Sequence, residues 1–306
     1  MKINRIALMA GAAFLSLCIC AHAWQSQNEG FSGKYPGAGG WLRQNHLNIA
    51  RDPQDALKYG YMLVYGEGLP SLTARTSAEK RLTAESAANV MASRNLVEQL
   101  SGFALTGERT VKDKRELYDV AKKTVSGFVR GVEEVYKEYN ERDETALVII
   151  KVGMGGPQGF ATQLYERILQ NPDLKRDLIG KASVYRPKPV PVDAAYDALI
   201  IDTTSDVFKP ALINRIFTLK GESLYDPSMV RKEVLVQHGC GEYTNTVDKA
   251  REALALRGAK NPLVVTANAT LNQTDVRVSA EDALRIFSAD QKAGFFAEGR
   301  VAFVLK

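Results

Sequence analysis

Cysteine, histidine and tryptophan are all scarce in this chain: three, three and two residues among 306. Two of the cysteines, Cys18 and Cys20, sit inside an apolar N-terminal run, so Cys240 is the one thiol left if that run is removed. An intramolecular disulfide is then excluded, and the fold must be held by its own cores. His238 and Cys240 flank Gly239 and would face the same way on a strand, but two ligands fall short of the three or four that zinc requires. The chain has no CxxC, HExxH, Walker loop or GxSxG elbow. Gly153-x-Gly155-Gly156 imitates a dinucleotide loop, yet Gln158 holds the third glycine position and Pro157 sits inside the turn, so it reads as a linker. No catalytic residue, cofactor or metal is expected.

Long hydrophobic runs are missing as well. The longest uncharged apolar stretch, residues 6–20, is shorter than the roughly 20 residues that span a bilayer. It follows Lys2 and Arg5 and precedes Ala21-His22-Ala23, the order of a secretory signal peptide cut after Ala23. Lipid attachment at Cys18 or Cys20 ranks below simple cleavage, because Leu17 and Ile19 precede those cysteines where a small residue is wanted. Cleavage would remove two of the 40 basic residues and none of the 35 acidic ones. The remaining excess of three is too small and too evenly spread to suggest nucleic acid.

Residues 24–56 form a glycine-dotted arm carrying Trp24, Phe31, Tyr35 and Trp41. These aromatics are candidate partner-binding residues, with packing back onto the next domain as the alternative. Residues 57–154 read as an α+β layer pair. Residues 61–68 are a strand running into a glycine turn, and Thr76-x-x-Glu79 is a capping box that opens a long helix. Ala78, Leu82, Ser86, Val90, Ser93, Leu96, Val97 and Leu100 lie on one helical stripe, while Ala84, Ala87, Ala88 and Ala92 make a second face of small residues that lets the helix lie close against a sheet or another helix. Gly102 is placed to end the helix in the left-handed conformation. Residues 127–138 are strand-like, Asn140–Asp143 read as a hairpin turn, and residues 146–152 are apolar on both faces, which marks a central strand.

Residues 155–192 contain a helical stretch broken at Asn171-Pro172 and the run Arg186-Pro187-Lys188-Pro189-Val190-Pro191, read as a stiff linker. Residues 193–306 form a second α+β domain: a buried strand near 197–202, a hairpin turned by Gly221, a helix over 247–257, a strand over 262–271, a helix capped by Ser279-x-x-Asp282, and a strand at 299–305. The expected class is α+β, two domains, each with helices packed on a mainly antiparallel sheet.

The order Gly66-Glu67-Gly68, alanine-rich helix with Arg94-Asn95-Leu96, Gly102, and Gly127-Phe128-Val129-Arg130-Gly131-Val132 resembles the Lpp-twenty envelope lipoprotein domain family. Similar domains occur in the flagellar outer-membrane proteins FlgP and FlgT. The resemblance spans residues 57–154. Segments such as Lys209-Pro210-Ala211-Leu212 and Gly221-Glu222-Ser223-Leu224-Tyr225 resemble those that accompany such domains. It supplies no catalytic residues and implies a structural role in the envelope, beside a flagellum or secretion assembly. The expected protein is therefore non-catalytic, periplasmic and peripheral at the outer membrane, with envelope proteins or further copies of itself as partners. The alternatives are a hydrolase working through Asp197, Asp202 and Asp206, or a small-ligand binder using the C-terminal domain.

Overall fold

The structure is a computed structural model that describes residues 31, 33–49, 52–125, 132–180 and 182–306. Residues 1–23, read above as a signal peptide, Trp24 and most of the Gly127–Val132 segment fall outside these residues. The chain is α+β and forms two compact units. One comprises Met1–Ile49, Leu63–Asn95 and Glu134–Ile150; the other comprises Ala50–Met62, Leu96–Glu133 and Lys151–Lys306. A single cut between the halves of the sequence therefore does not describe the organisation.

The first unit is built on strands β1 (Tyr61–Gly68), β4 (Val132–Asn140) and β5 (Thr145–Gly153), in the order β1-β5-β4. β5 is central, and Ala146, Leu147, Val148, Ile149 and Ile150 are all buried, as apolar residues on both faces require. Asn140 turns the β4–β5 hairpin: its Oδ1 accepts from the amides of Arg142 (2.9 Å) and Asp143 (3.1 Å). Helix α3 (Ser77–Gly102) opens on the expected capping box. The Glu79 amide donates to Thr76 Oγ1 at 3.1 Å, and the Thr76 amide donates to the Glu79 carboxylate at 3.0 Å.

In this unit the small-residue face of α3 is the buried one, as expected for close approach to a sheet, and the stripe is buried only farther along the helix, at Leu96 and Leu100. Ala84, Ala88 and Ala92 are fully buried, whereas Leu82 is 66% and Val90 50% exposed. The cause lies on β1. A Cβ added to Gly66 would collide with the backbone of Ala88 and Ala92, and one added to Gly68 with that of Ala84 and Ala88. The two glycines share one face of the strand and admit the helix backbone itself, so only a face of small residues fits. Gly66-Glu67-Gly68 is thus a docking strip inside a strand rather than a turn. Gly102, the last residue of α3, does not adopt positive φ.

The second unit holds two four-stranded sheets, a two-stranded ribbon of β2 (Ala104–Thr106) and β3 (Arg109–Thr110), and among its helices α2 (Asp55–Tyr59) and α4 (Arg115–Val125). The first four-stranded sheet has β6 (Ala198–Asp202), β9 (Glu242–Thr244), β10 (Pro262–Thr266) and β13 (Val301–Val304) in the order β10-β6-β13-β9. All of its pairings are parallel, with Leu263 and Val301 both opposite Leu199. The expected mainly antiparallel sheet is corrected here. Its two central strands are buried and apolar, β6 up to Asp202 and β13 throughout, because both faces are covered. Ala198, Ile200, Ala302 and Val304 pack with Ala250 and Leu254 of helix α8 (Val247–Leu256). On the other face Phe303 stacks between Phe208 (5.0 Å) and Tyr243 (5.9 Å).

The second sheet is mixed: β7 (Ile216–Thr218), β8 (Ser223–Tyr225), β11 (Ala269–Leu271) and β12 (Asp275–Val278), in the order β11-β12-β7-β8. Gly221, at φ 84°, turns the β7–β8 hairpin as expected. The apolar run 262–271 is two strands, because the chain leaves one sheet and enters the other at Ala267-Asn268. The Ala267 amide donates to the Asp202 carbonyl and the Asn268 amide to that of Arg277, both at 2.8 Å. Helix α9 (Ala280–Ala293) starts on Ser279, whose Oγ accepts from the Asp282 amide at 3.0 Å.

Residues 155–192 are not a free linker. Helices α5 (Phe160–Gln170) and α6 (Pro172–Ile179) belong to the second unit. Thr162 Oγ1 donates to the Val236 carbonyl at 2.6 Å, and the Val190 amide of the proline run donates to Ser288 of α9 at 3.0 Å.

Replacing Gly66 or Gly68 by alanine is expected to lower stability by about 2 kcal/mol or more, since the added methyl meets helix backbone rather than a movable side chain. Gly40→Ala, with open space around its Cβ position and a place inside a helix, is expected to be neutral or stabilising. Urea denaturation of the three variants checks both statements.

Candidate functional site

The aromatic arm is pinned. Phe31 and Tyr35 are buried, at 6% and 1% exposure. The Phe31 ring meets Tyr65 of β1 edge-on at 4.9 Å, and the Tyr35 hydroxyl donates to Thr145 Oγ1 at 2.9 Å. Trp41 is half-buried and lies on Tyr136 of β4 at 5.2 Å. Helix α1 (Pro36–Gln44) has no cap of its own at Tyr35. The carboxylate of Glu138 on β4 supplies one, accepting from the amides of Gly37 (3.2 Å) and Ala38 (2.8 Å). An anion at the positive end of a helix is favourable on both hydrogen-bonding and dipole grounds. Glu138 also accepts from Tyr136 at 2.9 Å; burial and that bond push the Tyr136 phenol up to about 12. Exposure was the premise for reading these aromatics as partner anchors, and for Phe31 and Tyr35 it fails. They are core residues of the first unit, while Trp24 lies outside the described residues.

The two features that hinted at chemistry meet in the second unit. A cleft of about 220 Å³ is lined on one side by Met154, Gly155 and Tyr165, and on the other by His238, Cys240 and Tyr243. His238 ends helix α7 (Lys232–His238), and Gly239 leaves it at φ 72°. The next residue, Cys240, turns inward and is buried. Its thiol donates to the Leu212 carbonyl at 3.4 Å, which also accepts from Tyr165 at 2.5 Å. Burial raises the Cys240 thiol above its ordinary value, against the pull of the neighbouring Tyr165. The sulfur is therefore protonated and a poor nucleophile at neutral pH. Among the described residues no three His, Cys, Asp or Glu side chains gather as a metal site.

One residue lining the cleft, Tyr243, belongs to a knot of buried hydrogen bonds that has little signature in the sequence. Asn214, fully buried, uses both polar atoms twice. Its Oδ1 accepts from the Ala211 amide (3.0 Å) and the Tyr243 hydroxyl (2.5 Å). Its Nδ2 donates to the carbonyls of Lys209 (3.3 Å) and Thr274. Next to it Arg215 grips Asp275 with Nε at 3.1 Å and a second guanidinium nitrogen at 2.6 Å, and donates to the Ile179 carbonyl at 2.9 Å. The one signal in the sequence was a polar pair, Asn214-Arg215, set between Leu212-Ile213 and Ile216-Phe217.

Asp197, Asp202 and Asp206 serve the backbone. Asp197 accepts from the amides of Lys260 and Asn261, both at 2.8 Å. Asp202 accepts from the Thr204 amide (3.0 Å) and hydroxyl (2.7 Å). Asp206 accepts from the Thr270 hydroxyl (2.7 Å) and amide (2.8 Å), which lower its carboxyl below the usual range. A carboxyl held ionised in this way is unsuited to the proton donation a hydrolase asks of one of its pair. In Gly153–Gly159, the loop once compared with a nucleotide cradle, Gly159 opens α5 without a side-chain cap.

The first unit also presents an apolar surface in the connection from β1 to α3. Leu72 is fully exposed and Leu69 is 68% exposed, close in sequence to the exposed Leu82. Isolated apolar residues on a surface are ordinary; here two leucines share one short turn.

Asn214→Ala would leave the Tyr243 hydroxyl, the Ala211 amide and the Thr274 carbonyl without these partners. A loss of about 3 kcal/mol is expected in urea unfolding. In the native protein Cys240 is expected to resist a disulfide exchange reagent at pH 8 and to react once unfolded. Asn214→Ala should shorten the time to reaction in native buffer. For the arm, Glu138→Ala should expose residues 33–49 to limited proteolysis while leaving the second unit's cleavage pattern unchanged.

No match was found among curated proteins. Residues 198–306, about a third of the chain, match the family model described as Treponema pallidum Tp0624, second domain, which places the parallel-sheet part of this protein in similarity with a bacterial domain.

Proposed function

We propose that this is a non-catalytic structural or assembly protein of the bacterial cell envelope, exported to the periplasm and held at the outer membrane by surface contacts. The observation that carries the reading is the order of residues 1–23: basic start, apolar run, Ala-x-Ala. The likeness of residues 198–306 to a bacterial domain is in keeping with it. The resemblance of residues 57–154 to the Lpp-twenty domains adds the finer suggestion of an assembly beside a flagellum or secretion machine. Chemistry in the second unit points the same way: Cys240 is a buried hydrogen-bond donor, and Asp197, Asp202 and Asp206 tie down turns. Among the described residues no helix is long and apolar enough to cross a membrane, so attachment on this reading uses exposed residues of the folded units.

Mass spectrometry of the protein recovered from cells is expected to find Trp24 at the N-terminus, and fractionation to place it in the periplasmic or outer-membrane fraction. In-cell crosslinking should then retain envelope proteins or a second copy. A full-length chain found in the cytosol would overturn the proposal.

A further inference from the structure

The turn joining β1 to α3 has the build of a lipid-docking element. Leu72 is fully exposed and Leu69 is 68% exposed, at positions fixed by the turn rather than by a loose loop. The Ser71 amide donates to Thr83 Oγ1 on the helix at 3.0 Å, and the Ala74 amide to the Ser71 carbonyl at 3.0 Å. Ser71 and Thr73 hydroxyls bond each other at 2.8 Å, and the Thr73 amide donates to Ser71 Oγ at 3.3 Å. Beyond them, the amides of Arg75 (2.6 Å) and Thr76 (3.0 Å) donate to the Glu79 carboxylate. Pro70 has no amide hydrogen to satisfy. Five backbone amides of the turn, at Ser71, Thr73, Ala74, Arg75 and Thr76, are thus met internally, which lowers the cost of moving it out of water.

Charge completes the pattern. Over residues 69–82 there are three cations, Arg75, Lys80 and Arg81, against the single carboxylate Glu79, while Glu144 lies against Lys80 and Glu85 and Glu141 against Arg81 from neighbouring segments. Glu79 is committed to the two backbone amides at the start of the helix. Among the described residues Arg75 has no acidic partner. Lys80 pairs with Glu144 at 2.7 Å and Arg81 with Glu85 at 2.8 Å, pairs in which each cation keeps substantial exposure. Exposed pairs of this kind are weak enough to exchange a carboxylate for a phosphate. An apolar tip bordered by cations complements a bilayer interface, where acyl chains lie beneath anionic headgroups. A protein partner would accept the leucines as readily, but it has no general reason to ask for the cationic border.

We propose that residues 69–82 dock the protein on an anionic lipid surface, with Leu69 and Leu72 entering the headgroup region and Arg75, Lys80 and Arg81 meeting phosphates. This inference rests on the envelope reading above and gives it a place on the molecule. In the mature chain beginning at Trp24, which lacks Cys18 and Cys20, Leu72→Cys takes an environment-sensitive fluorophore, and Leu256→Cys in the second unit, 92% exposed, is the control. Cys240 is buried and stays unlabelled. With vesicles of phosphatidylethanolamine and phosphatidylglycerol, the probe at 72 is expected to shift to the blue and be quenched by lipid-borne spin labels. The probe at 256 should do neither. Replacing Arg75, Lys80 and Arg81 by glutamine should weaken vesicle binding about fivefold per residue at low salt. Leu69→Ser should weaken it about tenfold.

A probe at 72 that stays in water while the chain sediments with vesicles would overturn the proposal, because binding then runs through another segment. A shift seen only with envelope protein extract would also overturn it, in favour of a protein partner. Either outcome leaves the envelope reading standing, which fractionation tests separately.

Discussion

Asn214 makes four hydrogen bonds without access to solvent, and the second unit is organised around them. A buried amide is costly unless each of its donors and acceptors is matched, and here all are. Through Thr274 it holds the start of β12, through Tyr243 the strand β9, and through Ala211 and Lys209 its own loop. Arg215 extends the same junction to Asp275 and to the end of α6. The two sheets of this unit thus meet at a polar knot as well as across an apolar core. Such a knot defines one arrangement, because a shifted register would strand buried polar groups. It also accounts for the buried tyrosines: Tyr165, Tyr225 and Tyr243 each reach a backbone carbonyl, at Leu212, Cys240 and Ala211.

The first unit depends on a contact of a different kind. Gly66 and Gly68 remove side chains from one face of β1, and alanines remove them from the facing side of α3, so backbone lies on backbone. Close approach replaces interdigitation, and the larger residues of the helix are displaced to other faces. Leu82 and Val90 become surface residues as a result. The exposed apolar character of this unit is therefore a by-product of how its helix must sit, and it is available for use.

Much of the local structure was legible. The capping boxes at Thr76 and Ser279, the hairpin turns at Asn140 and Gly221, and the break at Asn171-Pro172 all follow from side chains acting on their own neighbouring backbone. β5 as a central strand followed from apolar residues on both faces. The candidate residues were less legible. Phe31 and Tyr35 stood in a glycine-rich stretch and looked free, but their partners Tyr65 and Thr145 are distant in sequence. Asn214 and Arg215 gave little signal, since a polar pair between apolar residues is read more readily as a turn than as a buried junction.

The α+β class, the placement of the long helices and of the central strand β5, the caps and turns, and the leader-like order of residues 1–23 are all readable along the chain. These depend on periodicity and on contacts within a few residues. The folded chain adds that the β10-β6-β13-β9 sheet is parallel, that it is β1, through Gly66 and Gly68, which meets the small-residue face of α3, that the arm's Phe31 and Tyr35 are core, and that Leu69 and Leu72 stand in water. Each of those outcomes is a choice among nonlocal partners. Strand direction depends on which distant strand pairs, and burial depends on which surface arrives opposite, neither of which is written in the spacing of residues along one segment.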